Sequence, residues 1–301
     1  MVLNMKLEIK NISKSFGCHQ VLNQVSLSLE PGVYALLGPN GSGKSTLMNI
    51  LTDNILPDNG DVLFHHNDTT VSIRSNTAAF LDHIGYMPQD AKLYSEFTIA
   101  EFCKYIAILK NVPKKETDSF ISETLHSLEL DDIKNKKIMT LSGGMKQRLS
   151  LAQAVTGSPD ILLLDEPTAG LDPKQRISIR NFISKIALSK IVIYATHVVS
   201  DIEFIARDII MLKKGVVVDN ALPHELTKKI GGIVWNVPCS ESEVQLMQDK
   251  FRVTNIARDE DTGKVLLRVL ADEQPTNQSQ TVAPTLEDYY LYVFGETSSA
   301  S

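Results

Sequence analysis

Residues 38–46 combine the residue types and the spacing of a phosphate-binding loop. They fit the pattern G-x-x-x-x-G-K-[ST] and lie between a strand-like apolar segment and a helical one. The glycines let the backbone fold tightly, so that successive N–H groups point at a polyphosphate. Lys44 would reach the β- and γ-phosphates, and Ser45 would bind Mg²⁺. The sequence therefore predicts a nucleoside triphosphate site made by Gly38, Pro39, Asn40, Gly41, Ser42, Gly43, Lys44, Ser45 and Thr46.

Two adjacent carboxylates follow a later apolar segment, residues 161–164. A buried strand that ends in Asp165 would place this side chain at the carboxyl edge of a sheet, where it can hold Mg²⁺ through water. Glu166 comes next and is the natural general base for an attacking water. Acid pairs are common in loops, but downstream of a phosphate loop this pair predicts hydrolysis of the nucleotide.

A second anion site is predicted at Ser142, Gly143 and Gly144. Ser142 occupies the position of a helix N-cap, and the two glycines that follow it leave backbone N–H groups exposed. This site lies about a hundred residues after the phosphate loop. Two separate anion sites in one chain suggest that one nucleotide is held between two copies.

The elements that must position these residues are read from apolar runs. Runs at 33–37, 161–164, 191–195 and 209–212 have the composition of strands buried on both faces, and helical patterns separate them. Strands near 7–12 and 22–29 precede the phosphate loop, and the second alternates strictly, as an antiparallel strand with one covered face does. The core is therefore predicted to be α/β with a largely parallel sheet.

A helical insertion is predicted between Gln89 and Thr140. Thr98 and Glu101 form a capping box at the start of its first helix, and Pro113 ends that helix. We expect a groove between the core and this insertion, lined by residues near 86–105. The aromatic residues Phe97, Phe102 and Tyr105 are expected beside Gln89.

The character of the chain changes near residue 221. Strands are predicted near 233–237, 253–257 and 265–270, with a final helix at 286–294 and a linker at 272–281. We therefore expect an ATPase domain at 1–220, with a helical subdomain at about 90–160, and a small α+β accessory domain at 221–301.

Composition restricts the class of protein. The net charge of −6 argues against a surface that coats nucleic acid, so no nucleic-acid partner is expected. Cys18, Cys103 and Cys239 are odd in number and widely spaced, which predicts free thiols. No apolar run approaches the ~18 residues of a membrane helix, so any membrane part would come from a partner. The run HHND at 65–68 has no further spaced ligands, and we interpret it as a turn before a strand.

Taken together, these segments resemble the nucleotide-binding subunit of ATP-binding cassette (ABC) transporters. The resemblance covers residues from about 5 to 220. It implies a P-loop NTPase core of the ABC type, a mixed, largely parallel sheet with an antiparallel β subdomain and a helical subdomain. It also implies a Mg²⁺-dependent ATPase that binds ATP. The implied partners are a separate membrane permease and a second copy or a paralogous ATPase subunit, on the cytoplasmic, inner face of the cell membrane.

The resemblance assigns four further residues. Phe16 matches the aromatic that stacks on adenine, and Gln89 matches the glutamine that contacts Mg²⁺ and the attacking water. Asp172 matches the loop that crosses the dimer interface, and His197 matches the histidine that hydrogen-bonds the γ-phosphate. The chain departs from the family pattern at two positions. Met145 stands where glutamine is usual, and Phe16 stands where tyrosine is commoner.

Two other functions remain open at this stage. A soluble ABC ATPase could act in DNA repair, iron–sulfur assembly or on ribosomes, but the chain lacks the long heptad repeats or second cassette of such proteins. A non-enzymatic, nucleotide-gated subunit is disfavoured by the intact Glu166 and His197. Segments 94–98 and 284–290 resemble export-type subunits, which predicts export as the direction of transport.

Overall fold

The computed structural model describes residues 5–259 and 263–295. The chain divides into two compact units, Met1–Asn220 and Ala221–Ser301. The strands up to the boundary are β1 (Met5–Phe16), β2 (His19–Leu29), β3 (Gly32–Leu37), β4 (Asn59–His66), β5 (Thr69–Ser72), β6 (Ile84–Met87), β7 (Ile161–Asp165), β8 (Ile191–Thr196), β9 (Asp208–Lys213) and β10 (Val216–Ala221). The α-helices of the first unit are α1 (Lys44–Leu51), α2 (Thr77–Asp82), α3 (Ile99–Leu109), α4 (Lys114–Ser127), α5 (Gly143–Val155) and α6 (Pro173–Ile186). Short 3-10 turns lie at Asp131–Ile133, Ile138–Thr140 and Val199–Asp201.

Four strands form an antiparallel sheet in the order β2-β1-β4-β5. In the centre of this sheet Leu7 pairs with Leu29 of β2 and with Phe64 of β4. Because successive side chains of a strand point to opposite faces, Leu7 and Ile9 are buried while Glu8 between them is partly exposed. The buried face packs into the main core of the unit. This sheet is the antiparallel β subdomain that the resemblance to ABC subunits implies.

The six-stranded sheet, β10-β9-β3-β8-β7-β6, carries the residues of the phosphate site at one edge. Its central strands run parallel, with Leu37 beside Thr196 and Asp165 beside Ala195. Every residue of β7 and β8 is buried, as expected for strands covered on both faces. Parallel strands present their carboxyl ends at the same edge. The loops after β3, β7 and β8 therefore begin next to one another.

The helices of the predicted helical subdomain, at about 90–160, are α3, α4 and α5. Thr98 caps α3, and the side chain of Glu101 accepts a hydrogen bond from the backbone N–H of Thr98 at 2.8 Å, so the predicted capping box is present. The aromatic residues of this segment pack on one another: Tyr94 contacts Phe97, Phe102 and Tyr105 at ring-centroid distances of 5.6, 6.1 and 5.6 Å. Phe102 is fully buried, whereas Tyr94 keeps half of its surface exposed.

The second unit is a small α+β structure. Its strands are β11 (Val234–Cys239), β12 (Arg252–Arg258), β13 (Val265–Leu270) and β14 (Gln280–Thr281), in the order β12-β13-β11-β14. Its helices are α7 (Pro223–Lys228), α8 (Val244–Lys250) and α9 (Leu286–Phe294), with a 3-10 turn at Glu241–Glu243. Part of the predicted linker is ordered, because Gln280 pairs with Asn236 and Ser279 is buried. Across the described residues of both units, no helix has the length and apolar character to cross a membrane.

Candidate nucleotide site

A cavity of about 390 Å³ opens where the loops after β3, β7 and β8 meet. Its lining contains most of the residues that the phosphate-loop pattern and the carboxylate pair single out. These are Asn40, Gly41, Ser42, Gly43, Lys44, Ser45, Thr46, Gln89, Asp165, Glu166 and His197, together with His19 and Val21. Gly38 and Pro39 contribute backbone carbonyls instead, as described next.

The ammonium group of Lys44 is buried, with 8% of the residue exposed. It donates hydrogen bonds to the carbonyls of Gly38 at 2.6 Å and Pro39 at 3.1 Å. Burial lowers the pKa of Lys44, and the negative charges of Glu166 and Asp165 partly oppose this shift. Carbonyl oxygens satisfy the donors but do not neutralise the charge. Lys44 is therefore a desolvated cation for which an arriving polyphosphate would be a favourable partner.

The loop around Lys44 has further features that fit a phosphate. Ser42 Oγ is buried and has no hydrogen-bond partner within residues 5–259 and 263–295. Gly43 adopts φ = 110°, and a Cβ atom there would come within 2.7 Å of Leu22 Cδ2, so only glycine fits. α1 begins at Lys44 and directs its first backbone N–H groups toward the loop. An orphaned hydroxyl, a buried cation and a helix N-terminus together fit a polyphosphate.

Asp165 is the last residue of β7 and is buried. Burial raises the pKa of Asp165, the neighbouring charge of Glu166 raises it further, and Lys44 lowers it. A divalent cation would relieve both the burial and the repulsion between the two carboxylates. Ser45 and Gln89 line the same cavity with oxygen atoms. The residues present therefore fit a hard cation such as Mg²⁺.

Glu166 is held in a strained conformation by several hydrogen bonds. Its φ of 50° lies in the left-handed region, which a residue with a side chain rarely adopts. Oε2 accepts a hydrogen bond from Thr196 Oγ1 at 2.9 Å. Oε1 accepts from the backbone N–H of His197 at 3.1 Å and lies 2.6 Å from His197 Nδ1. Since a carboxylate has about four lone-pair positions, these contacts leave one for a water molecule.

Sequence reasoning missed several residues that hold Glu166 and its loop. Besides Thr196, Gln147 donates from Nε2 to the carbonyl of Glu166 at 2.9 Å. The loop is also fixed by the 3-10 turn at Val199–Asp201, because Thr168 Oγ1 donates to Asp201 Oδ2 at 2.6 Å. Thr196 follows the last apolar residue of β8 and directly precedes His197, so its position could have been found by extending the argument for that histidine. The contacts of Gln147 and Thr168 bridge segments that are distant in sequence and carry no local signal.

The remaining predicted residues lie outside this cavity. Phe16 ends β1 with half of its surface exposed and pairs with His19, which lines the cavity. Ser142 caps α5 by accepting a hydrogen bond from the backbone N–H of Met145 at 3.3 Å. Asp172 caps α6 in the same way, from Gln175 N at 2.9 Å.

The two capped helix starts are neighbours. A Cβ atom on Gly144 would come within 2.5 Å of Gln175 Oε1, so the starts of α5 and α6 lie close together at this point. At Gly143, in contrast, a Cβ atom would meet nothing within 4 Å in the described part of the chain. Ser142, Gly143 and Asp172 therefore share one open surface that is separate from Lys44.

Comparison with known proteins identifies the family. Residues 22–169 match the family model described as ABC transporter. The sulfate/thiosulfate import ATP-binding protein CysA of Pectobacterium atrosepticum is 32% identical over 266 residues, covering 86% of this chain and 76% of that protein. The chain belongs to the ABC transporter family. It is an ATP-binding cassette, of the type that binds and hydrolyses ATP with Mg²⁺, and the predicted fold class is confirmed.

Two further ABC proteins show how far the likeness extends. ABC transporter A family member 8 of Dictyostelium discoideum is 34% identical over 231 residues, covering 74% of this chain but 27% of that protein. The chain thus spans about a quarter of the length of that relative. A solved ATP-binding cassette, in a dimeric post-hydrolysis state bound to ADP and Pi, is 29% identical with a TM-score of 0.63. That match covers 72% of this chain and 98% of the solved one.

Proposed function

We propose that the chain hydrolyses ATP at the cavity around Lys44 and transmits the energy to a separate membrane permease. The observation that carries this proposal is the joint position of a buried cation, Lys44, and a carboxylate with one free lone pair, Glu166, in one cavity. The chain would work on the cytoplasmic face of the membrane, attached to the permease. Membership of the ABC transporter family supports this role.

Each residue of the cavity has a role that follows from its chemistry. Glu166 takes a proton from water as the water oxygen attacks the γ-phosphorus and the bond to ADP breaks. Lys44 offsets the negative charge of the phosphates. Bound Mg²⁺, held by Ser45, Asp165 and Gln89, would neutralise further phosphate charge. His197 Nδ1 lies 2.6 Å from Glu166 Oε1, and a ring that also carries a proton on Nε2 would donate it to the γ-phosphate.

The adenine would lie beside β1 and β2. Phe16 presents a half-exposed ring next to His19, and stacking requires only an aromatic face. Lys14 Nζ is 5.5 Å from the centre of this ring and holds a positive charge nearby. The replacement of tyrosine by phenylalanine removes a hydroxyl group but retains this face.

The nucleotide would be enclosed by a second cassette, either another copy or a paralogous subunit. Ser142, Gly143 and Gly144 offer a hydroxyl and helix N–H groups at an open surface away from the Lys44 cavity. Asp172 lies at the start of the neighbouring helix. Placed against the phosphate loop of another cassette, this surface would complete the site.

The permease would bind at a groove between the core and the helical insertion. The groove has a volume of about 710 Å³ and lies between the end of β6 and the end of α3. Tyr86, Pro88, Ile106 and Leu109 contribute apolar groups to its wall, and Leu109 is 59% exposed. An exposed apolar wall of this kind is typical of an interaction site. A short amphipathic helix of a permease would fit it.

A matched pair of substitutions tests this assignment. Leu109→Glu places a charge in the groove, whereas Ile108→Glu places one on the adjacent residue, which is 71% exposed and does not line the groove. Both variants should retain the basal ATPase rate, because neither touches the cavity around Lys44. Copurification with an integral membrane protein from the producing cells should fall at least about tenfold for Leu109→Glu only.

Equal copurification of both variants would reject the groove as the docking site. Recovery of the wild-type chain solely with DNA or ribosomes would reject the transporter role itself. The direction of transport rests on resemblance alone, which favours export. Transport assays with vesicles that contain the copurified permease would show whether the substrate is exported or imported.

A further inference from the structure

Three side chains outside the nucleotide site form a cluster of metal-ligand type: His66, His83 and Asp160. His66 ends β4, His83 follows α2, and Asp160 precedes β7. One nitrogen of each imidazole and one carboxylate oxygen lie within 4.8 Å of one another. Asp160 Oδ2 is 2.6 Å from His83 Nδ1 and 4.0 Å from His66 Nδ1. A single carboxylate oxygen therefore faces both imidazole rings.

The core of the protein fixes these positions. The fully buried ring of Phe64 lies 4.7 Å from the ring of His83 and 5.9 Å from that of His66, measured between centroids. The backbone N–H of Ile161 donates to the carbonyl of His83 at 3.0 Å, which ties the residue after Asp160 to His83. About a quarter of the surface of each polar side chain is exposed to solvent: 28% for His66, 27% for His83 and 25% for Asp160. A water molecule can therefore reach the cluster.

A hydrogen bond between His83 and Asp160 explains the position of that pair but not that of His66. The imidazole of His66 makes no hydrogen bond with any of the residues that the structure describes, although its Nδ1 lies 4.0 Å from Asp160 Oδ2. Lys190 is the positive neighbour of Asp160, but its ammonium group donates to Ser158 Oγ at 3.1 Å and to the carbonyl of Pro159. Among the described residues, the groups within ion-pair distance of Asp160 are the two imidazoles.

We propose that His66, His83 and Asp160 bind a divalent transition metal, with Zn²⁺ the best match, and that water completes the coordination. Imidazole nitrogens favour such ions, whereas Mg²⁺ and Ca²⁺ prefer oxygen ligands. At metal–ligand distances of about 2.1 Å, tetrahedral ligands lie roughly 3.4 Å apart. The observed separations of 2.6 and 4.0 Å fall on either side of this value. Side-chain rotations would then suffice to close the site.

The site is distinct from the nucleotide site and independent of the proposed transport function. Asp160 precedes the first residue of β7 and Asp165 is its last, so the two carboxylates are separated by about 16 Å of extended strand. The metal would join β4 of the antiparallel sheet to the amino-terminal edge of the six-stranded sheet. It would therefore stabilise the first unit by linking its two sheets.

Equilibrium dialysis of the untagged full-length chain against buffered Zn²⁺ tests the proposal. The wild type and His65→Gln should each bind zinc at this site, because His65 lies on the same strand but contacts Thr70 and Glu8 instead. His66→Gln and Asp160→Asn should each bind that zinc at least about tenfold more weakly. An excess of Mg²⁺ should not displace it. ATP binding by each variant confirms that the chain is folded.

Thermal unfolding provides a second readout that is independent of the total zinc bound. At a hundredfold excess over the dissociation constant, Zn²⁺ should raise the Tm of the wild type and of His65→Gln by roughly 5–10 °C. It should leave the Tm of His66→Gln nearly unchanged. The proposal would be overturned if His65→Gln and His66→Gln had the same zinc affinity and the same Tm response. A wild type that binds no zinc would overturn it as well.

Discussion

At the scale of single residues, the proposed hydrolysis depends on Glu166. Its two oxygens accept hydrogen bonds from Thr196 and from two nitrogens of His197, and its backbone is held at φ = 50°. Thr196 is the last residue of β8 and His197 follows it, so the groups that orient the Glu166 carboxylate come from one short segment. A residue held in this way is oriented before the nucleotide arrives.

Glu166→Gln removes proton acceptance while retaining size. Its amide oxygen can still accept from the backbone N–H of His197, and its NH₂ group can donate to Thr196 Oγ1. ATP binding should therefore persist while turnover falls by at least the ~10²-fold typical of general-base loss. Steady-state phosphate release and equilibrium binding of ATP measure the two effects. The control is Glu123→Gln on the exposed face of α4, which should turn over at the wild-type rate; unchanged turnover in Glu166→Gln would remove its assignment as the base.

Local pattern predicts the residues at the ends of strands but not those that support them. Lys44 and Asp165 were predicted because each follows an apolar run at a fixed spacing, and both line the cavity. The His66, His83 and Asp160 cluster was not predicted, and 65–68 was interpreted as a turn before a strand. His65 and His66 instead end β4, whereas the predicted turn is present at Asn67 and Asp68, directly before β5. The three ligands meet only through pairing of distant strands, which a single sequence does not display.

At the scale of elements, burial and strand pairing explain which strands could be predicted from the sequence. The buried strands β3, β7, β8 and β9 were predicted from continuous apolar runs, because strands covered on both faces need no polar residues. The short β14 was predicted as a linker, since two polar residues have no recognisable period. It forms because Gln280 and Thr281 pair with Asn236 and Trp235 of β11. Whether such a short polar segment forms a strand therefore depends on its pairing with a strand that is distant in sequence.

One buried ion pair is expected to stabilise the second unit. Asp288 in α9 is almost fully buried and accepts from Arg268 Nη2 at 2.7 Å, from Thr285 N at 2.8 Å and from Thr254 Oγ1 at 2.8 Å. Asp288→Asn would leave the Arg268 cation without its partner, and we expect a loss of about 3 kcal/mol in unfolding free energy. Trp235, the single tryptophan of the chain, lies in this unit and reports its unfolding in urea. Glu287→Gln, at the exposed neighbour, should change little.

The same pair predicts an acid dependence of that unit. Burial by itself raises the pKa of Asp288, but hydrogen bonds from Arg268, Thr285 and Thr254 outweigh it and hold the pKa below its usual value. A depressed pKa contributes stability above the unfolded pKa of about 3.9, and this stability is lost as the pH falls through the folded pKa. The wild type should therefore lose more stability below about pH 4 than Asp288→Asn does. Equal acid slopes would show that Arg268 does not hold the ionised carboxylate.

At the scale of the whole molecule, the proposed function requires a second cassette to complete the nucleotide site. The cavity around Lys44 provides the phosphate loop and the carboxylates, while Ser142 and Gly143 lie on a separate open surface at the start of α5. The sequence predicted this separation from the two anion sites. A paralogous subunit would present a similar surface and could close the cavity in the same way.

The mass of the protein in solution, measured by light scattering with and without ATP and Mg²⁺, tests this account most directly. Glu166→Gln should bind ATP without turning it over, so its mass should double when the nucleotide is present. Adding Ser142→Arg should return it to a monomer, because a bulky cation blocks the surface that faces the partner's nucleotide. Adding Ser127→Arg, at an exposed position at the end of α4, should leave the dimer intact. A monomer at ATP concentrations that saturate Glu166→Gln, or a dimer that persists with Ser142→Arg, would contradict a site completed by a second copy.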